Sequence, residues 1–399
     1  MGAALMVGMG GAVQVRAETE AATPYAAPGS AGAATRVMDP RAGSTAGMAQ
    51  RQALLEAAET ALARGMVPPA IIGFERAAMM LHAADTEMGL VRAWMQQGDY
   101  RRALAFAAHT AGAHRDSPAA SAFYVWLLRV GGQDHFANQL LGKVVERAPG
   151  DPVVGAVQEA LAQPSPLATG VLLEVPHRLA PQSVMRAEQL PPPAGARHVA
   201  SGTLAGRGQV ALVPASATQG AQRLWVRNGL GHMTEARVDP SAPAAVREQG
   251  LELLQLLAPL GSGPVRLAER DPFAGSPGLV ASYVASPQAD AAWPWLTQGF
   301  FGAFEGASGL RRMAITGAPG GQGGPVMDAA GHLAGISLRG DKGRALMVPV
   351  SLFREAVDSL GDLSPAARPA NDPAPVARIG LDEAYEQALQ ITLQVLVLP

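Results

Sequence analysis

The apolar positions change period along the chain. From Arg51 to Gln163 they recur at helical spacing in Ala- and Leu-rich sequence with few breakers, which predicts a run of packed helices. From Pro164 to Gly361, short Val, Leu and Ile runs are separated by Gly and Pro, the pattern of an all-β unit. Residues 378–399 read as a short helix with acids in its first turn, then a strand. Two stretches carry no apolar period. One is 18–50, rich in Ala, Gly, Pro, Ser and Thr; the other is the Pro/Ala segment 362–377. Both are expected to be linkers.

Within the helical part, three stretches align: ARGMVPPAIIGFERA from Ala63, QQGDYRRALAFAA from Gln96 and RVGGQDHFANQLLGKVVERAPGDP from Arg129. Their turn glycines, Gly65, Gly98 and Gly132, lie 33 and 34 residues apart, and Ala70, Ala103 and Ala137 each follow five positions later. Leu90 and Trp94 precede Gly98 on one helix face, and Pro149 closes the third unit. A period of this length signals a solenoid of helix pairs, in which Gly turns the chain and Ala lets helices approach closely. The segment 51–163 resembles the tetratricopeptide repeat family, best in Trp94…Gly98-Asp99-Tyr100-Arg101-Arg102-Ala103, with Pro152–Gln163 as capping helix. The resemblance implies an array that holds an extended peptide. Trp94, Tyr100, Tyr124 and Trp126 are then either packing between helices or contacts lining the groove, while Asp99, Arg101 and Arg102 read as solvated surface.

Composition narrows the function. The chain has 399 residues, a net charge of −2 and no Cys. Near-neutral charge argues against a nucleic-acid partner, and without Cys there are no disulfides, thiolate metal sites or Cys nucleophiles. Only Lys143 and Lys342 are lysines among 31 basic residues, a bias spread over the whole chain. No uncharged apolar run reaches the roughly 18 residues that span a bilayer. Residues 2–15 are uncharged and of the length of a signal-peptide core, although a basic start is missing. Residues 1–17 therefore read as a signal segment, with a periplasmic or secreted protein expected; if they are an ordinary apolar tail, the protein is cytoplasmic. His177, His198, His232 and His332 are scattered, with no metal-pair spacing. No metal and no cofactor is expected. The Gly-rich run at Gly320–Gly324 lacks the Lys and following helix of a phosphate loop.

The most specific stretch is GAPGGQGGPVMDAAGHLAGISL, Gly317–Leu338. Gly323-Gly324-Pro325, a strand, the turn Asp328–Gly331 and a second strand through Gly335-Ile336 resemble trypsin-like serine peptidases of the HtrA type. In that family the residue before Gly-Gly-Pro is the nucleophilic Ser, and the turn before it, here Gly320 and Gly321, forms the oxyanion loop. This chain carries Gln322 at that position. Ala200–Gly229 resembles the opening strands, which places the family's His at Ser216. Glu248–Pro259 resembles the strand led by the catalytic Asp, which falls on Gly250, with Glu252 offset by two residues. Asp341–Gly361 resembles the closing strand and helix.

The resemblances together imply a multi-domain α + β protein, an α-helical tetratricopeptide-type solenoid plus an antiparallel trypsin-like double β-barrel over 164–361. Its triad positions Ser216, Gly250 and Gln322 carry no acid–base chemistry. Trp293 and Trp295 are expected to fill the barrel rather than guard a cleft. Residues 381–399 resemble the lead-in of a trypsin-like domain, which implies either the start of a second barrel or a strand added to an edge of the first. The expected function is a non-catalytic protein-binding adaptor or regulator, taking protein or extended peptide segments as partners. The alternatives are an active serine endopeptidase whose working barrel lies beyond Pro399, or a purely structural envelope component.

Overall fold

The computed structural model describes residues 45–162, 192–261, 265–286, 289–306, 308–318, 321–358 and 377–398. The signal-like segment, His177, Gly320 and almost all of both linkers lie outside the described residues.

Seven helices open the described chain: α1 (Thr45–Ala63), α2 (Val67–Met80), α3 (Ala84–Gln97), α4 (Tyr100–Ala113), α5 (Pro118–Val130), α6 (Asp134–Arg147) and α7 (Pro152–Ala162). Helix α1 begins within the stretch read as linker, six residues before Arg51. Each helix packs on the next through a short connection. The turn glycines take positive φ, +73° at Gly65, +90° at Gly98 and +77° at Gly132, a conformation costly for other residues. Capping follows the sequence: the Asp99 carboxylate accepts from the Arg102 amide at 3.3 Å, and Ser117 Oγ from the Ala120 amide at 3.3 Å.

Two closed six-stranded antiparallel barrels follow. The first is built from β1 (Arg197–Ala205), β2 (Val210–Pro214), β3 (Arg223–Asn228), β4 (Met233–Val238), the short helix α8 (Ala244–Glu248) and β5 (Leu251–Leu256). The second contains β6 (Pro277–Ser282), β7 (Trp295–Phe304), β8 (Arg311–Ala314), β9 (Pro325–Asp328), β10 (Leu333–Arg339) and β11 (Ala345–Pro349), with α9 (Arg354–Asp358) after it. The chain ends in α10 (Leu381–Ile391) and β12 (Thr392–Leu398). The architecture is thus a helical region joined to a trypsin-like double barrel.

The tail departs from both expectations. Strand β12 neither opens a second barrel nor lies at an edge: it runs between β1 and β3, paired on both sides, and completes the first barrel in the order β1-β12-β3-β4-β5-β2. Its alternation explains why. Leu393, Val395 and Val397 point into the core with Leu204, Val213, Val226 and Leu254, while Leu396 packs outside with Trp225 and Met233. Strands β1 to β5 supply five staves, and closure requires a sixth.

Helix α10 links the barrels to the helical region. Ala384, Tyr385, Ala388 and Leu389 belong to the same buried cluster as the helical array and as Leu230, Trp293 and Leu296 of the barrels. The Tyr100 and Tyr385 rings meet edge-on at 4.5 Å, and the Tyr385 hydroxyl donates to the Pro294 carbonyl at 2.8 Å. Glu386 accepts from both the backbone amide and Nε of Arg101, at 2.9 and 3.0 Å, so that a residue of α10 satisfies an open amide in the first turn of α4. Trp293 and Trp295 are buried here, with Arg129 of α5 stacked over Trp295 at 4.3 Å. No helix among the described residues is long and apolar enough to cross a membrane.

Candidate functional site

Ser216, Gly250 and Gln322, far apart in sequence, come together where the two barrels meet. Ser216 follows β2 in a short 3-10 turn, and the Ala215 amide donates to the Gly250 carbonyl at 2.9 Å. The Gln322 side-chain amide donates to Ser216 Oγ at 3.3 Å. Gly250, at φ +74°, is exposed, and Glu252 sits within β5 opposite Val213. The positions assigned to a triad therefore do converge, but what meets is a carboxamide, a hydroxyl and a glycine. Such a set donates and accepts hydrogen bonds and offers no base at neutral pH.

The loop bearing Gln322 is clamped from both barrels. The Gln322 carbonyl accepts from the Ser201 amide at 2.9 Å, the Gly323 carbonyl from Thr203 Oγ1 at 2.8 Å, and Ser337 of β10 exchanges backbone bonds with Gly323 and Gly324 at 2.6 and 2.9 Å. The two glycines are sterically required. Gly323 has φ +90° and a Cβ there would lie 2.1 Å from the Ser201 carbonyl; at Gly324 it would lie 2.0 Å from the Ala281 carbonyl. Of the expected oxyanion loop, Gly320 lies outside the described residues, and the Gly321 amide donates to the Ala318 carbonyl at 2.8 Å.

His198 on β1 does not serve this site. It is buried against the Tyr283 ring, and its Nε2 lies 2.9 Å from the Ala200 carbonyl. Burial, helped by the charge of Arg227 and opposed by hydrogen bonding, brings its pKa down to about 4. An unfolded chain takes up this proton near pH 6.5, whereas the folded chain resists until about pH 4. Stability is therefore complete above pH 6.5 and declines as the pH falls toward 4, by about 3 kcal/mol from this residue. Urea unfolding at pH 7 and pH 4 should show that decline, and a His198→Gln variant should lose about that much less over the same range.

Of the aromatic residues read as either helix packing or groove contacts, three take the first role and are corrected as groove residues. Trp94, Tyr100 and Trp126 are 4%, 0% and 2% exposed and pack inside the molecule. Tyr100 in particular is covered by Tyr385 and donates to the Leu127 carbonyl at 2.5 Å. Sequence periodicity could not anticipate this, because the covering helix comes from the far end of the chain. Only Tyr124 remains partly open, lining an open pocket of about 350 Å³ with Leu128, Gln133, Phe136, Gln139, Leu140 and Lys143.

A second polar cluster escaped the sequence reading altogether. His82 after α2, Glu87 on α3, and His109 and His114 at the end of α4 converge, with Glu87 buried at their centre. A signal was present: His82 and His114 lie 17 and 16 residues beyond the turn glycines Gly65 and Gly98, at matching ends of successive helix pairs.

No protein-family profile and no curated protein sequence matches the chain. Solved structures match about two fifths of the chain. The protease domain of MamO from Magnetospirillum magneticum, in apo form, shares 18% identity over 41% of this chain and 90% of its own, with a TM-score of 0.32. The HtrA-type protease AlgW with decapeptide shares 22% over 39% of this chain, TM-score 0.33, and a serine endoprotease from Yersinia pestis 18% over 40%, TM-score 0.33. The chain spans 49% and 56% of the length of the latter two.

Proposed function

We propose that this chain is a non-catalytic, protein-binding protein: a peptidase-like double barrel without peptidase chemistry, carried on a tetratricopeptide-type helical array. The observation that supports this most directly is the Gln322–Ser216 hydrogen bond at 3.3 Å. It lies where a nucleophile and its base would be needed, and a carboxamide has neither a dissociable proton nor a nucleophilic oxygen of use at physiological pH. Gly250 offers no carboxylate to orient an imidazole, and the hydrogen-bond partners of Gln322 and Ser216 among the described residues include no imidazole. Export to the periplasm or beyond belongs to the same proposal and rests on residues 1–17 alone.

The reading of peptide binding draws on the fixed Gly-rich loop, with an amide side chain at its tip, where the two barrels meet. On the helical side, one surface open to a partner among the described residues is the Tyr124–Phe136 pocket, where Phe136 is 60% exposed. The alternative, an active barrel beyond Pro399, drew on the lead-in at 381–399, whose strand lies in the first barrel.

Purified protein incubated with casein and with short ester substrates should show no hydrolysis above the uncatalysed rate and no phosphonate labelling. A Gln322→Ser variant should remain inactive too, since a lone hydroxyl beside Ser216 has no base to activate it. Hydrolysis that disappears on phosphonate labelling would overturn the proposal.

A further inference from the structure

We propose that His82, Glu87, His109 and His114 form a binding site for a transition-metal dication of the Zn²⁺ type, within the helical array and apart from the crevice between the barrels. Glu87 is the anchor. Its side chain is only 4% exposed, and the groups within ion-pair reach of it among the described residues are the three imidazoles, with no Arg or Lys. A carboxylate removed from water needs a compensating positive charge, and a dication held among these groups would supply it.

The distances suit an ion held between these groups. Glu87 Oε1 lies 2.7 Å from His82 Nε2 and 3.8 Å from His109 Nε2, and Glu87 Oε2 lies 3.3 Å from His114 Nε2. Ligand atoms of His82, Glu87 and His114 all fall within 4.8 Å of one another. Bonds of about 2.0–2.1 Å in a tetrahedron set ligand atoms roughly 3.4 Å apart, a value within the observed spread of 2.7 to 3.8 Å. His82 and His109 are 46% and 55% exposed on their side chains, so small rotations of these two can complete the shell.

The unsatisfied atoms point the same way. Glu87 Oε2 and His114 Nε2 are both buried, face each other at 3.3 Å and make no hydrogen bond. A proton shared between them would align the ring N–H with the carboxylate oxygen. Two buried polar atoms that converge without such alignment are placed as two ligands to one cation would be. Imidazole nitrogen with one carboxylate suits Zn²⁺, Co²⁺, Ni²⁺ or Cu²⁺ and is a poor set for Mg²⁺ or Ca²⁺, which prefer all-oxygen shells. With its ligands drawn from the α2–α3 connection, α3 and the end of α4, a bound ion would tie successive helix pairs together.

The test uses the full chain after chelator treatment and dialysis. Titration with Co²⁺ at pH 7.5 should give the visible absorption of a tetrahedral nitrogen–oxygen site, saturating at one equivalent. One equivalent of Zn²⁺ should bleach it, and an excess of Mg²⁺ should not. A His82→Ala/His109→Ala variant changes only exposed side chains. It should keep the far-ultraviolet circular dichroism of the parent and bind Zn²⁺ at least about 100-fold more weakly by calorimetry. Two results would overturn the proposal: no saturable binding by the parent chain, or one-equivalent binding that this variant retains.

Discussion

Removal of residues 378–399 is expected to abolish folding of the double barrel, although these residues follow an apparently finished domain in sequence. Strand β12 is paired along β1 from Arg197↔Val397 to Thr203↔Thr392 and along β3 from Leu393↔Asn228 to Leu398↔Arg223. Its loss strips two buried strand edges of their partners, and unpaired backbone groups in a barrel wall are costly. It also removes Leu393, Val395 and Val397 from the barrel core, each worth about 1.5–3 kcal/mol of burial, together with the apolar face of α10. The sum exceeds a large share of the 5–15 kcal/mol that typically holds a domain folded. Circular dichroism and thermal unfolding of the shortened chain should show no cooperative transition, and the synthetic peptide 378–399 should recover soluble folded protein when added during refolding. A shortened chain that unfolds cooperatively near the parent temperature would refute this role for the tail.

Tyr385→Ala should be the most damaging single substitution at the junction of helices and barrels, costing about 3–5 kcal/mol in urea unfolding, as large aromatic truncations in cores do. Its ring is fully buried, meets Tyr100 edge-on and spans from the helical array to the barrel connection at Pro294. Burial pushes the phenols of both Tyr385 and Tyr100 well above the ordinary tyrosine range, so both act as neutral donors at any physiological pH. Tyr385→Phe keeps the ring and leaves the Pro294 carbonyl without its donor, a loss of about 1–2 kcal/mol. If the alanine and phenylalanine variants lost the same stability, the ring packing would not be what joins the two parts.

Much of the architecture was legible in the residues. Gly65, Gly98 and Gly132 mark real turns because only a residue without Cβ takes their positive φ at little cost. The Gly-Gly-Pro run identified the crevice loop, where carbonyls from Ser201 and Ala281 leave no room for a Cβ. Ser216, Gly250 and Gln322, singled out from three separate stretches of sequence, lie close together in the structure. What was not legible depends on chain segments arriving from elsewhere. Tyr100 has the periodicity of either a core or a groove residue, and α10, nearly 300 positions later, decided for the core. For His82, Glu87, His109 and His114 the repeat spacing of His82 and His114 was the one sequence signal, and their convergence depends on how successive helix pairs stack.

The sequence by itself determined the helical array, the run of short strands and the identity of the side chains at the crevice. These follow from local period, turn chemistry and residue type, which need no knowledge of distant neighbours. Tertiary structure alone decided that the last strand closes the first barrel, that Tyr100 is covered by α10, and that three histidines surround a buried glutamate. The physical reason is that strand pairing and burial are long-range: an apolar strand such as β12 fits any unfilled edge of matching register, and only the assembled barrel, with one stave missing between β1 and β3, selects where it goes.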